Sequence, residues 1–184
     1  MRLGEIIQLR TSDIKQDGDG IAYFDITTLL DEDDGEAAKS LKNANSVREL
    51  PIHPRLVDFG FQELVDKRRD EGAPRLFMDY GQSTDGRWSQ QFSKWFQRYR
   101  KHAGVERIIG GKNRVDFHSF RHNFEDVVRN LPDVKQEVRD ALQGHGDNGV
   151  SAQYGTGIYR KTLDEAMKQV EHESLDLSLL VLGS

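Results

Sequence analysis

Four side chains within one stretch carry the chemistry that this sequence offers: His118, Arg121, His145 and Tyr154. His118 and Arg121 stand three apart, so on a helix they share one face. A Gly144-His145 step follows two apolar-patterned segments, and His145 precedes Tyr154 by nine residues. The set holds a permanent cation, two imidazoles and a phenol. No nearby group of Asp, Glu and His has the spacing of a metal cage. The chain has no Cys, and no Ser sits in a nucleophile turn with a His partner. The phenol is therefore the candidate nucleophile of the stretch. With an ordinary pKa of about 10 it attacks only when cations or a general base stand beside it. A guanidinium matches phosphate oxygens in pairs. Attack on a phosphodiester is the chemistry to which this combination points.

Further motifs lie upstream: Arg2-Leu3-Gly4-Glu5 at the start and Lys42 in a polar turn between two strand-like runs. In order, Arg2 to Glu5, Lys42, His118 to Arg121, Gly144-His145 and Tyr154 resemble the catalytic domain of a tyrosine recombinase of the phage-integrase family. The likeness runs from the first residues to about Val170. It implies a mainly α (α+β) fold, a helical bundle with a small antiparallel sheet. It implies site-specific breaking and rejoining of DNA, as in phage or genomic-island integration, through a 3′-phosphotyrosine on Tyr154. Arg2 and Arg121 would hold the non-bridging phosphate oxygens, and His145 would donate to the same phosphate. Lys42, with Lys39 as fallback, would protonate the leaving oxygen, and His118 would serve as base or hydrogen-bond partner of the phenol. Neither a metal nor another cofactor is implied.

The implied partners are double-stranded DNA and further copies of the chain, a homo-tetramer on DNA; the resemblance suggests exchange of C-terminal tails between protomers, and docking of the tail on its own domain is just as consistent with its residues. No membrane is involved, and the implied location is the bacterial cytoplasm, at the nucleoid. The resemblance also implies that an N-terminal DNA-clasping domain and the first helices of the catalytic domain are absent. Tyr159, fourteen residues after His145, is the rival nucleophile. A type IB topoisomerase shares much of the residue set and stands as the nearest rival. A DNA-binding or assembly module without catalysis is a rival of another class.

Composition sets the outer limits. A chain of 184 residues suits one domain with a real core and is short for two. Charged residues reach 31%, but Trp, Phe and Tyr recur throughout, which argues against disorder. No run approaches membrane-spanning length. The formal charge of −5 speaks against a nucleic-acid partner when averaged over the chain. Acids nevertheless concentrate in 31–36, at Asp164-Glu165 and in 171–176, which leaves Arg98 to His102 and Lys112 to Arg114 as local basic runs.

Periodicity predicts the elements that must position these residues. Leu3, Ile6, Ile7 and Leu9 suit an amphipathic helix ending at Thr11-Ser12-Asp13. Ile21 to Thr27 and Ser46 to Ile52 suit strands, with a turn at Asp17 to Gly20 before the first and a polar hairpin loop over 31–45 between them. Pro54 to Arg69 reads as one helix closed by Gly72. Arg87 to His102 reads as another, with Trp88, Phe92, Trp95, Phe96 and Tyr99 as its core face. Phe117 to Asn130 carries His118 and Arg121 and buries Phe117, Phe120, Phe124, Val127 and Val128. A helix from Pro132 turns Val134, Val138 and Leu142 inward until Gly144 stops it. Leu163, Ala166, Met167 and Val170 form a last helical face, and 174–184 is an apolar tail that must dock somewhere.

Overall fold

The computed structural model describes residues 1–27, 47–109, 113–145 and 159–172. The chain folds as mixed helix and sheet. Its centre is a three-stranded antiparallel sheet of β1 (Ile14–Gln16), β2 (Ala22–Ile26) and β3 (Arg48–Pro51), in that order. The turn between β1 and β2 is closed by Asp17, whose carboxylate accepts from the backbone N–H of Asp19 (3.1 Å) and of Ile21 (2.9 Å). Gly20 there adopts a φ of +82°, which glycine reaches without a Cβ penalty.

Register decides which side chains face inward. Phe24 lies opposite Ile14 on one side and Leu50 on the other, while Ile26 lies opposite Arg48. Successive side chains of a strand alternate between faces, so Phe24, Ile26, Leu50 and Arg48 share the inner face. Tyr23, Asp25 and Glu49 share the outer one. Phe24, Ile26 and Leu50 are buried in the core with Leu9, Val65, Val128, Leu142 and Met167.

Seven helices surround the sheet among the described residues. α1 (Leu3–Ile7) leads through Leu9 and Arg10 into a 3-10 turn over Thr11–Asp13. α2 (Pro54–Asp58) and α3 (Phe61–Asp70) replace the single helix expected from Pro54. Gly60, at φ +79°, breaks it, and Leu56 and Val57 consequently point to solvent. α4 (Gln90–His102) is followed by a short hairpin of β4 (Ile108–Ile109) and β5 (Asn113–Arg114). α5 (His118–Arg129) packs against α6 (Gln136–Gln143), and α7 (Arg160–Met167) lies between α6 and β3. α6 begins at Gln136 and not at Pro132, because Asp133 takes a left-handed φ of +54°. Val138 and Leu142 are buried as their spacing predicts, and so are Leu163, Ala166, Met167 and Val170.

Two expected faces are corrected. On α5, Val128 is buried as expected and Phe117, Phe124 and Val127 are half-buried, but Phe120 is 58% exposed and Arg121 is buried in addition. On α4 the aromatic stripe is not a core face. Phe92 and Phe96 pack edge-on against Phe117, but Trp95 and Tyr99 stack on each other at 5.3 Å and remain 41% and 54% exposed. Trp88, ahead of the helix, is the buried one, with the Arg75 guanidinium 4.7 Å from its ring centre. Among the described residues no helix is long and apolar enough to cross a membrane.

Candidate anion site

The centre of the site is Arg121, in the first turn of α5 and 8% exposed. Its Nη2 donates to the Gln143 carbonyl (2.6 Å) and lies 3.0 Å from His145 Nε2. Its Nε pairs with Glu125 Oε1 at 2.8 Å, one helical turn further on. Burial lowers the Arg121 pKa and Glu125 opposes the shift, while the charges of Arg2 and Arg48 add to the lowering. A guanidinium so held stays charged and has a fixed orientation.

His145 reaches Arg121 because α6 ends where it does. Gly144 turns left-handed at φ +68°, and the His145 backbone N–H donates to the Asp140 carbonyl (2.9 Å), closing the last turn. The imidazole Nε2 stands between Arg121 and Glu125 Oε1, 3.3 Å from the latter. When neutral at Nε2 it accepts from Arg121. When protonated it pairs with Glu125.

The opposite wall comes from the N-terminal helix and the sheet. The Glu5 carboxylate accepts from the Arg2 backbone N–H (2.7 Å) and pairs with Arg2 Nη1 (3.1 Å) and Arg48 Nη2 (3.1 Å). Burial alone would raise the Glu5 pKa, but the Arg48 charge and the Arg2 backbone donor outweigh it and hold the carboxyl below its ordinary value. Arg48 in turn lies flat against Gly144: a Cβ built there would meet the guanidinium carbon at 2.9 Å. Three arginines, from the N-cap of α1, from β3 and from α5, therefore approach one another, with Gly144 as the spacer that admits Arg48.

No protein-family model, curated protein or solved structure matches this chain.

Of the residues singled out by sequence, Arg2, Arg121 and His145 belong to this constellation. Arg2 is half-buried and tied to Glu5, although it stands next to the first residue. His118 stands at its edge: it is exposed, its ring meets His122 edge-on at 4.7 Å, and among the described residues it forms no hydrogen bond through the imidazole. Desolvation first, then the charges of His122 and Arg121, depress its pKa below 6.5 and favour the neutral imidazole. Lys42, its fallback Lys39, and Tyr154 lie outside the described residues, as does the tail 174–184. Tyr159 heads α7 at 71% exposure and lines a groove with Lys135, Thr162 and Glu165, apart from the contacts of Arg121. The three described surface cavities lie elsewhere and include none of Arg2, Arg48, Arg121 or His145.

Arg48 and Glu125 are the residues of this constellation that spacing did not bring out. The signal for Arg48 was present: alternation within 46–52 puts it on the face of Leu50, and a cation facing a core demands a partner. For Glu125 the signal was its i,i+4 offset from Arg121.

Proposed function

We propose that this chain is the strand-cleaving domain of a site-specific DNA recombinase of the tyrosine class. The observation that supports the reading is the approach of Arg2, Arg48 and Arg121, with His145 hydrogen-bonded to the last of them at 3.0 Å. Such a group suits a pentacoordinate phosphate, whose equatorial oxygens gain charge as the bond to the leaving oxygen stretches.

In this reading the Tyr154 phenolate forms a bond to phosphorus, and the bond from phosphorus to the 5′ oxygen breaks. The strand is left as a 3′-phosphotyrosine and a 5′-hydroxyl, with the leaving oxygen taking its proton from Lys42. Attack of another 5′-hydroxyl reverses the step and frees the tyrosine. Bond energy is held in the protein link throughout. His118, kept neutral by its surroundings, accepts or orients the phenolic proton. Arg121 and Arg2 bind the non-bridging oxygens, and His145 donates to one of them. Loss of one such donor typically slows the step about 100- to 1,000-fold.

One feature favours a second reading, a DNA-binding or assembly module without cleavage. The acids Glu5 and Glu125 already pair with Arg2, Arg48 and Arg121, which tempers the site's pull on phosphate. Incubation with a pool of nicked duplexes of randomised sequence, from which the released strand cannot rejoin, separates the two. A covalent adduct whose peptide maps to Tyr154 supports cleavage. Stable binding without any adduct supports the module. Relaxation of a supercoiled plasmid by a monomer, without exchange of strands between duplexes, would move the assignment to a topoisomerase.

A further inference from the structure

Net charge hides a strong segregation in the middle of the chain. Residues 87–115 contain eight Lys and Arg side chains and a single acid, Glu106. On α4, Lys94, Arg98 and Lys101 follow one another at spacings of four and three, and His102 stands four after Arg98, so the four form a row along the helix. All four are exposed, and among the described residues Lys94, Arg98 and Lys101 have no acidic partner. The aromatic edge runs beside this row. Phe92, Trp95 and Tyr99 make a ladder, with ring centres 5.2 Å apart at the first step and 5.3 Å at the second. Phe92 anchors the ladder on Phe117, and Tyr99 ends it as its most exposed described ring.

We propose that this edge of α4 binds single-stranded nucleic acid, with unpaired bases extending the Trp95–Tyr99 stack and the row of cations holding the backbone. Charge complementarity selects the occupant. An apolar protein partner would leave Lys94, Arg98 and Lys101 desolvated and unpaired at its margin, which is costly. A polyanion neutralises them. The bases, unlike a phospholipid headgroup, also offer flat faces to a ring whose outer side is open, and such stacking needs bases that are not already paired in a duplex. The surface shares no residue with the arginines around Glu5, so it would work in a chain that cuts DNA and in one that does not.

The two tryptophans make the test direct. Trp88 is buried against Arg75 and Trp95 is exposed, so quenching of tryptophan emission by an oligothymidylate of about 15 nucleotides reports on Trp95. The intact chain is titrated with that strand, with a blunt duplex of equal length, and with vesicles of phosphatidylserine and phosphatidylcholine. The expected result is quenching by the single strand, tighter than by the duplex, with Tyr99→Ala weakening affinity about tenfold. Arg98→Ala weakens it too and flattens its salt dependence. Both side chains are exposed, and an unchanged thermal midpoint shows that the fold persists; should Tyr99→Ala shift that midpoint, the salt slope of Arg98→Ala decides alone. Equal affinity for duplex and single strand, quenching by vesicles only, or full affinity in both variants would overturn the proposal. Adduct formation at Tyr154 is scored separately, so failure of one assignment leaves the other standing.

Discussion

The guanidinium of Arg48 rests against the bare Cα of Gly144, so close that a methyl group at position 144 would lie 2.9 Å from its central carbon. One contact thus joins the strand that carries Arg48 to the turn that delivers His145. Gly144→Ala meets two penalties, a left-handed φ of +68° and the displaced Arg48. Together they cost roughly 1–3 kcal/mol. In an Arg48→Ala background only the backbone strain remains, so the penalty shrinks toward about 1 kcal/mol. Denaturant unfolding of the four proteins in that cycle measures the difference, and an equal penalty in both backgrounds would separate the two residues.

Glu5 sets an acid limit on stability. Its folded pKa is lowered from 4.5, so its contribution is complete above that value and is lost as pH falls through the folded one. His118 acts in the same direction at a higher pH. Its pKa is lowered from 6.5, so the unfolded chain takes up a proton first and stability declines as pH drops below that value. Thermal midpoints from neutrality to about pH 3 should fall in two stages. Glu5→Gln shrinks the lower stage, which Asp17 and Asp85 share through their own lowered pKa values, and costs about 3 kcal/mol at neutral pH, since Arg2 and Arg48 lose their shared partner. His118→Asn shrinks the upper stage and leaves the part contributed by the buried Met1 amine, whose pKa burial lowers from 8.0 to about 5.

Glu125 competes with any anion that approaches Arg121. Its replacement by Gln removes the pairs to Arg121 Nε and His145 Nε2 and lowers stability by about 2 kcal/mol. Affinity for inorganic phosphate, read by calorimetry, should rise severalfold in the same variant. Unchanged or weaker binding would assign Glu125 to orienting Arg121 and not to opposing its ligand.

Arg160 fastens α7 to the outer face of the sheet. It pairs with Asp17 at 2.7 Å and with Glu49, and its guanidinium lies 3.8 Å from the ring centre of Tyr23. A lysine keeps the charge but loses the planar fork, so Arg160→Lys should cost about 2 kcal/mol. Lys161→Arg next to it, on an exposed side chain, should stay within about 0.5 kcal/mol.

Local signals were the ones that could be read from the chain alone. The Asp17–Gly20 turn, the two strands flanking 28–46, and the Gly144 stop with His145 just beyond it all depend on neighbours in sequence. The aromatic stripe of α4 marks the boundary of that method. Spacing tells which of Phe92, Trp95, Phe96 and Tyr99 share an edge. It does not tell that Phe117 covers two of them and leaves Trp95 and Tyr99 in solvent. Gly60 is a similar case, since apolar spacing runs across it undisturbed while the backbone turns left-handed. The inward face of Arg48 was legible from alternation, but its partners Glu5 and Gly144 were not, because they are distant in the chain on either side.

Under the proposed function, Arg2 at the start of α1, Arg48 of β3 and Arg121 of α5 serve one phosphate. Nitrogen-15 NMR of the arginine Nε–H groups, followed as inorganic phosphate is added, tests it without knowledge of a DNA sequence. A shared site moves the Arg121, Arg48 and Arg2 resonances together with a single dissociation constant, and Arg121→Ala abolishes the response at the other two. Resonances that shift with separate constants, or an Arg48 response that survives Arg121→Ala, would contradict it.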